Sequence, residues 1–466
     1  MLFSSVTFLY YFLPIVIVLY FLMPKALKNP LLLIASLIFY GWGEPKIVFL
    51  MLATIFVSYI FGLLIDRYRS KKISRLFLIL SIAGGLSSLG FFKYYDFFIS
   101  NFNAITKMSL PLLNIALPIG ISFYTFQMIS YNIDVYRKQA PVQKNFFHLA
   151  TYIALFPQLI AGPIVRYTDI ADQLTNRTHS VEKAAMGARR FVIGLAKKIL
   201  IANTLGEMGQ AFLQSADLSV LSYWIYVISF MLQIYFDFSG YSDMAIGLGK
   251  IFGFEFMENF NYPFISASIS EFWRRWHISL GSWFRDYVYI PLGGNRVGKA
   301  RLLLNIFVVW FLTGFWHGAE WNFIIWGIYF GIILTLEKFY IIKTLEKHKI
   351  FAHIYTLFFV IISFAIFAAT GLGDAFCNVG SLFGLNNLPL VSAEALYMLK
   401  NYGFILVISA IGSTPILKYA YAKSSLSTRL SLMLDYIEII ALIILIVLCT
   451  AYLADGSFNP FLYFRF

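Results

Sequence analysis

The stretch that decides the fold class is apolar and carries one histidine near its middle: Leu312-Thr313-Gly314-Phe315-Trp316-His317-Gly318-Ala319-Glu320-Trp321-Asn322. Apolar runs at 302–316 and 321–340 flank His317, which predicts a tight hairpin of two membrane-spanning helices. An ionisable side chain at membrane depth costs several kcal/mol unless it lines a polar cavity. We therefore expect His317 to be a functional residue.

The composition of the whole chain indicates an integral membrane protein. Of the 466 residues, 60% are hydrophobic, 19% are aromatic and only 13% are charged, whereas a soluble domain carries about 25% charged residues. The strand alternation of an outer-membrane barrel is absent, so helices remain as the spanning elements. We predict an all-α polytopic integral membrane protein that forms a single membrane domain over residues 1–466, with about 11–13 transmembrane helices plus re-entrant and interfacial helices.

Further apolar runs predict the remaining spans. They lie at 7–23, 30–40, 47–65, 76–92, 112–133, 191–204, 219–236, 355–370, 404–421 and 436–453. Residues 148–165 are apolar but are broken by Pro157, Gly162 and Pro163, which favours a re-entrant segment. Residues 269–301 are amphipathic and basic, as is typical of helices at the membrane surface.

The net charge of +13 is best explained by membrane topology. Lys and Arg cluster in short loops, and the loop at 67–75 carries five of them, which predicts that this loop is cytoplasmic and that the N-terminus is outside. We expect contact with the lipid bilayer and no binding of nucleic acid. A basic face that receives an acidic partner or a phosphate-bearing donor is the second interpretation.

A second histidine follows two tryptophans and two arginines in Ser270-Glu271-Phe272-Trp273-Arg274-Arg275-Trp276-His277-Ile278-Ser279-Leu280. On a helix, Trp273 and His277 share a face, and Glu271 and Arg275 can pair. One interpretation is an interfacial helix anchored by Trp and Arg. The other places His277, Trp273 and Arg275 on the reaction path of a substrate, with Arg274, Arg275 and Arg285 near donor phosphates.

The surroundings of His317 suit a general base. Gly314 and Gly318 remove side chains beside it, so that backbone or substrate can approach closely. Trp316 offers a flat wall, and Asn322 offers both a donor and an acceptor group. A desolvated imidazole held in one tautomer can deprotonate a hydroxyl group. The competing interpretation is a histidine hydrogen-bonded inside a helix bundle.

Asp237 and Asp243 lie inside an apolar segment and allow two interpretations. They can form a carboxylate pair that binds substrate, or they can be buried carboxylates satisfied by neighbouring polar groups. No metal-ligand spacing is present, so we expect no metal.

These residues resemble the membrane-bound O-acyltransferase (MBOAT) family, in particular its bacterial branch of alginate O-acetylation proteins and peptidoglycan O-acetyltransferases. The resemblance rests on 236–247, 270–280, Trp283-Phe284-Arg285-Asp286-Tyr287, 291–296 and 315–322. The opening, with Phe3-Ser4-Ser5 and Tyr40-Gly41-Trp42, and the ending, 459–466, are also similar. In the family, the histidine of the Trp-His-Gly motif is catalytic, which implies His317, and the histidine of the Arg-Trp-His motif is a second functional position, which implies His277.

The resemblance also implies an activity. An acetyl thioester, acetyl-CoA or an acyl carrier, would be used at the cytoplasmic side without a further cofactor, and acetyl would cross the membrane for O-acetylation of a cell-envelope polysaccharide. The expected partner is a periplasmic acetyltransferase of the Ser-Asp-His type, and the expected location is the bacterial inner membrane. Transfer of D-alanine toward teichoic acid and a non-catalytic transporter are the alternatives.

Overall fold

Helices are the regular secondary structure of the protein in the part of the chain that its computed structural model describes, residues 1–424, 428–456 and 458–460. No strand occurs among these residues. A helix satisfies its backbone groups within its own segment, which is what the hydrocarbon core of a membrane requires. The predicted all-α fold is therefore confirmed.

The chain divides into two compact units, Met1–Phe191 with Tyr241–Met257 and Val192–Gly240 with Glu258–Phe466. The single membrane domain over residues 1–466 stays a prediction. The helices up to the boundary at Phe191 are α1 (Leu13–Leu22), α2 (Lys28–Gly41), α3 (Ile47–Arg67), α4 (Ile73–Leu89), α5 (Tyr95–Thr106), α6 (Ile121–Tyr136), α7 (Phe146–Ala154), α8 (Phe156–Leu159), α9 (Tyr167–Ile170), α10 (Gln173–Asn176) and α11 (Val181–Ala196). The later helices are α12 (Asn203–Gln214), α13 (Val220–Ile251), α14 (Ile269–Arg275), α15 (Ile278–Phe284), α16 (Lys299–His317), α17 (Trp321–Leu336), α18 (Ile342–Lys347), α19 (Lys349–Phe367), α20 (Leu372–Leu382), α21 (Ala393–Gly412), α22 (Ile416–Ser424) and α23 (Thr428–Ala454). Five π-helical segments lie at Phe8–Phe12, Gly90–Tyr94, Lys197–Ala202, Arg285–Tyr289 and Glu337–Ile341, and two 3₁₀ segments at Lys25–Leu27 and Pro263–Ile265.

Eight helices among the described residues are long and apolar enough to span a membrane, so the chain is a multi-pass membrane protein. They are Ile47–Arg67, Ile73–Thr106, Val220–Ile251, Lys299–His317, Trp321–Lys347, Lys349–Phe367, Ala393–Gly412 and Met433–Ala454. Other apolar runs belong to shorter helices. The run at 30–40 lies in α2, which has 14 residues, and the run at 112–133 becomes helical only at Ile121.

The broken segment at 148–165 has the irregular backbone that its prolines and glycine predict. Helix α7 ends at Ala154, α8 has four residues, and no helix continues between Ile160 and Arg166. The basic region at 269–301 likewise contains short helices, with seven residues each in α14 and α15.

A close contact between α16 and α17 forms the hairpin around His317. Helix α16 ends at His317 and α17 begins at Trp321. A Cβ atom on Gly314 would lie 3.2 Å from the Cα of Gly327 and would collide with the carbonyl oxygen of Phe323. The space beside Gly314 is therefore filled by the backbone of α17, which explains why glycine occupies this position.

We expect Gly314→Ala to destabilise the protein by about 1–3 kcal/mol, because the added methyl group overpacks the contact between α16 and α17. The measurement is thermal unfolding of the purified protein in detergent. Gly403→Ala in α21 is the matched control, since a Cβ atom there meets no described atom within 4 Å. Equal midpoints for both variants would contradict the packing argument.

Candidate active site

His317 lies in an aromatic enclosure at the end of α16. Its ring is 5.1 Å from the ring of Trp326 and 5.4 Å from that of Phe367, both at 83°. The neighbouring Trp316 ring is 5.0 Å away. Helices α16, α17 and α19 thus supply the walls around the imidazole, which is partly buried.

His277 is fully buried between α14 and α15, with 1% of its surface exposed. Its backbone has φ 44° and ψ 53°, a left-handed conformation that is uncommon for residues other than glycine. This conformation interrupts the helical path, so that α14 and α15 become separate helices on either side of the imidazole. The Trp316 ring lies 6.0 Å from His277, and Trp316 therefore contacts both histidine rings.

Asn259 determines the tautomer of His277. The Oδ1 atom of Asn259 accepts the backbone N–H of Ser279 at 3.2 Å and the Ser279 hydroxyl at 2.9 Å. The same oxygen lies 3.2 Å from Nδ1 of His277. Because a backbone N–H can only donate, this atom is an acceptor, and we assign the proton of His277 to Nδ1. The lone pair is then on Nε2, which is buried and has no hydrogen-bond partner among the described residues.

Burial lowers the pKa of His277 to about 3. The charged imidazolium is disfavoured where water is excluded. His277 is therefore neutral at physiological pH and presents a hydrogen-bond acceptor, not a proton donor, at Nε2.

Both histidines line one narrow cavity, which we call the histidine cavity. Its volume is about 40 Å³, which exceeds the 10–15 Å³ that one water molecule needs. Aromatic side chains dominate its wall, and its charged residue is Asp237. The lining residues are Ile234, Asp237, Phe238, Phe272, Trp273, Trp276, His277, His317, Trp326, Phe330, Ser363, Phe364 and Phe367.

Two wider cavities lie next to the histidine cavity. The middle cavity, of about 300 Å³, shares Trp273 and His277 with it. The basic cavity, of about 570 Å³, shares Arg274, Arg285 and four other residues with the middle cavity and adds Lys338. Shared wall residues therefore place the three cavities in a row. The widest is lined by three cations and by Glu337 and Glu346, and the narrowest is lined by His317.

Helix α14 is held in place by hydrogen bonds at its N-terminus. The carboxylate of Glu337, which is fully buried, accepts the backbone N–H groups of Ile269 at 2.6 Å and Ser270 at 3.0 Å. Ser268 Oγ accepts the N–H of Glu271, and the Glu271 carboxylate accepts that of Ala267. These contacts satisfy the free N–H groups of the first turn. They also fix the position of α14, which carries Trp273.

Arg275 and Asn322 make contacts within the protein. Arg275 pairs with Glu271 at 2.9 Å, as the spacing predicts, and donates to the carbonyl oxygen of Asn261 at 3.1 Å. Asn322 is buried and donates to the carbonyl oxygen of Ala369 at 2.9 Å. Neither residue lines any of the three cavities. Their predicted contact with substrate stays a prediction.

Asp237 and Asp243 have separate cationic partners. Asp237 pairs with Lys198 at 2.6 Å, and both side chains are more than nine-tenths buried. Asp243 pairs with Arg190 at 2.8 Å in the first unit. Of the two carboxylates, Asp237 lines the histidine cavity. The ion pairs match the interpretation of buried carboxylates satisfied by neighbours, and a role in substrate binding stays a prediction.

Lys198 lies in the π-helical segment Lys197–Ala202 and also donates to the carbonyl oxygen of Pro460. Such segments are frequent at functional sites. The rest of the closing motif, residues 461–466, lies outside the described residues.

Several residues of the site carry no signal in the sequence. Asn259 is 18 residues from His277 and lies in an ordinary connecting segment, while Trp326 and Phe367 resemble any lipid-facing aromatic residue. Their roles depend on tertiary contacts. Among the described residues, no three His, Cys, Asp or Glu side chains are grouped as ligands of a metal.

We expect Asn259→Asp to raise the pKa of His277, because a carboxylate beside Nδ1 stabilises the imidazolium. Protonation removes the acceptor at Nε2, so the acid limb of the pH–rate profile should move to higher pH. Asn261→Asp adds the same charge two residues away and is the matched control. Coincident acid limbs in the two variants would contradict the assignment of the tautomer.

Comparison with known proteins identifies the family of the chain. Residues 137–378, which contain both histidines, match the profile of the membrane-bound O-acyltransferase family. The chain is 44% identical over 397 residues to a probable alginate O-acetylase of Pseudomonas syringae pv. tomato, covering 84% of this chain and 76% of the relative. It is 39% identical to a probable alginate O-acetylase of Pseudomonas putida over the full length of both, and 35% identical to a peptidoglycan O-acetyltransferase of Helicobacter pylori, covering 100% and 98%. The chain belongs to the membrane-bound O-acyltransferase family and is an acyltransferase.

Proposed function

We propose that this acyltransferase takes an acetyl group from a cytoplasmic thioester, acetyl-CoA or an acyl carrier, and passes it across the bacterial inner membrane. The group would serve O-acetylation of a cell-envelope polysaccharide such as alginate or peptidoglycan. A periplasmic acetyltransferase of the Ser-Asp-His type would receive it.

The observation that supports this proposal is the series of three cavities. Arg274, Arg285 and Lys338 line the basic cavity together with Glu337 and Glu346. Arg285 is paired with Asp286 at 2.6 Å, so Arg274 and Lys338 would bind the phosphate groups of a coenzyme or carrier. The middle cavity shares wall residues with both the basic cavity and the histidine cavity. A thioester arm that follows this series would bring its acyl carbon to the side of His317.

The chemistry follows from the positions of the two histidines. The acceptor hydroxyl oxygen adds to the thioester carbon while His317 takes the hydroxyl proton. The C–S bond then breaks, and the sulfur leaves with that proton. His277, which is neutral and accepts hydrogen bonds at Nε2, would orient a donor group of the substrate within the aromatic enclosure.

Two alternatives remain distinct from this proposal. Transfer of D-alanine from a carrier protein uses the same chemistry with another acyl group, and a D-alanyl carrier tested beside acetyl-CoA separates the two. A transporter without covalent chemistry does not fit membership of an acyltransferase family, and it predicts that both histidines are dispensable.

We expect His317→Ala to lower the turnover of radiolabelled acetyl-CoA by purified protein in nanodiscs by about 10²–10⁴-fold, since the general base is lost. Candidate periplasmic acceptors are included in the assay. His348→Ala changes an exposed histidine that lines none of the three cavities, and it should leave turnover unchanged. Full activity of His317→Ala would refute the proposed role.

We expect Arg274→Ala to raise the KM for acetyl-CoA by roughly tenfold or more with little change in kcat, because a charged contact to phosphate is lost. Lys299→Ala is the control, since Lys299 is an exposed cation at the start of α16 outside the three cavities. If both variants keep the wild-type KM, the basic cavity does not bind the donor.

A further inference from the structure

Two tryptophans that line the histidine cavity have buried N–H groups without an acceptor among the described residues. The indole Nε1 atoms of Trp273 and Trp326 are both buried, and neither has a hydrogen-bond partner among the described residues. Buried polar groups are nearly always hydrogen-bonded, so each exception needs an explanation. Both side chains line the cavity that holds His317.

The two indoles meet beside His317 from different helices. Trp273 on α14 and Trp326 on α17 have ring centroids 5.6 Å apart at 80°. Phe330 contacts both rings, at 4.9 Å and 5.1 Å. The Trp326 ring in turn packs 5.1 Å from the ring of His317. Rigid aromatic packing therefore holds both indoles near the proposed base.

An indole N–H can only donate a hydrogen bond, so its missing partner is an acceptor. His277 cannot replace these donors, because its Nδ1 proton is directed at Asn259 and its Nε2 atom carries a lone pair. In acyl transfer, the carbonyl oxygen of the acyl group becomes negatively charged when the hydroxyl oxygen adds to the acyl carbon. This oxygen is therefore the atom that most needs hydrogen-bond donors.

We propose that Trp273 and Trp326 form the oxyanion hole of this acyltransferase, donating their indole N–H groups to the carbonyl oxygen of the bound acyl thioester. As the new C–O bond forms, the π pair of the carbonyl moves to that oxygen, and the two indoles stabilise the charge. The pair returns as the C–S bond breaks. This inference rests on the proposed function, since it concerns the transition state of that reaction.

The test uses Trp273→Phe and Trp326→Phe, which keep an aromatic ring and remove the N–H. Each variant should lose about 10²-fold in kcat for acetyl transfer, with little change in KM for acetyl-CoA, because the hydrogen bonds strengthen only in the transition state. Trp224→Phe is the matched control. The indole of Trp224 donates to the carbonyl oxygen of Leu382 at 2.9 Å, outside the cavity, and its loss should leave kcat unchanged.

A second measurement does not depend on turnover. The carbonyl stretching frequency of ¹³C-labelled acetyl-CoA bound to the His317→Ala protein should fall below that of the free thioester, and it should recover when Trp326→Phe is added. If the frequency of acetyl-CoA bound to the His317→Ala protein equals that of free acetyl-CoA, the inference is overturned. This comparison needs no Phe variant, so it decides the question even where those variants fail to fold.

The outcomes separate this inference from the proposed function. A wild-type protein that transfers no acetyl group to any acceptor overturns both. If the wild type is active and His317→Ala is not, but both Phe variants keep wild-type kcat, then the proposed function stands and the oxyanion hole is wrong.

Discussion

The contact between α16 and α17 at Gly314 and Gly327 determines the geometry on which the site depends. It brings the backbones of the two helices together, so that His317 at the end of α16 faces Trp326 on α17. A shift of α16 by one helical turn along α17 would separate the His317 imidazole from the Trp326 ring. Packing of small residues is the interaction that lets helices approach closely in a membrane, where the hydrophobic effect does not drive them together.

Helix α17 also leads into the group that fixes the second half of the site. Glu337, in the π-helical segment that follows α17, accepts two backbone N–H groups at the start of α14. A buried carboxylate is costly unless it is hydrogen-bonded, and these bonds satisfy it while they hold α14 in position. One continuous stretch from α16 to Glu337 therefore positions His317 directly, and Trp273 and His277 through α14.

The sequence predicted the residues whose burial in an apolar segment costs free energy. It missed the residues whose role depends on tertiary contacts. His277 and His317 stand out because an imidazole in an apolar segment needs a reason, and the structure brings both to one cavity. Asn259 and Trp326 are ordinary residues for their segments, and only folding gives them their contacts. The helical class followed from composition, and the run at 30–40 matches α2 closely. The start of α6 at Ile121 did not follow, because residues 112–120 are apolar and yet form no helix.

Charged side chains are distributed differently around the basic cavity and the histidine cavity, which suits different parts of a donor for acyl transfer. Lys198 and Asp237 cancel at the histidine cavity, while Arg274, Arg285 and Lys338 face Glu337 and Glu346 around the basic cavity. Under the proposed function, the phosphate groups of the donor would stay at the wide cavity, because the narrow one offers them no unpaired cation among the described residues. With about 40 Å³ beside His317, the narrow end has space for a small acyl group and little water. In that dry aromatic enclosure, each hydrogen bond to a developing charge is stronger than it would be in solvent.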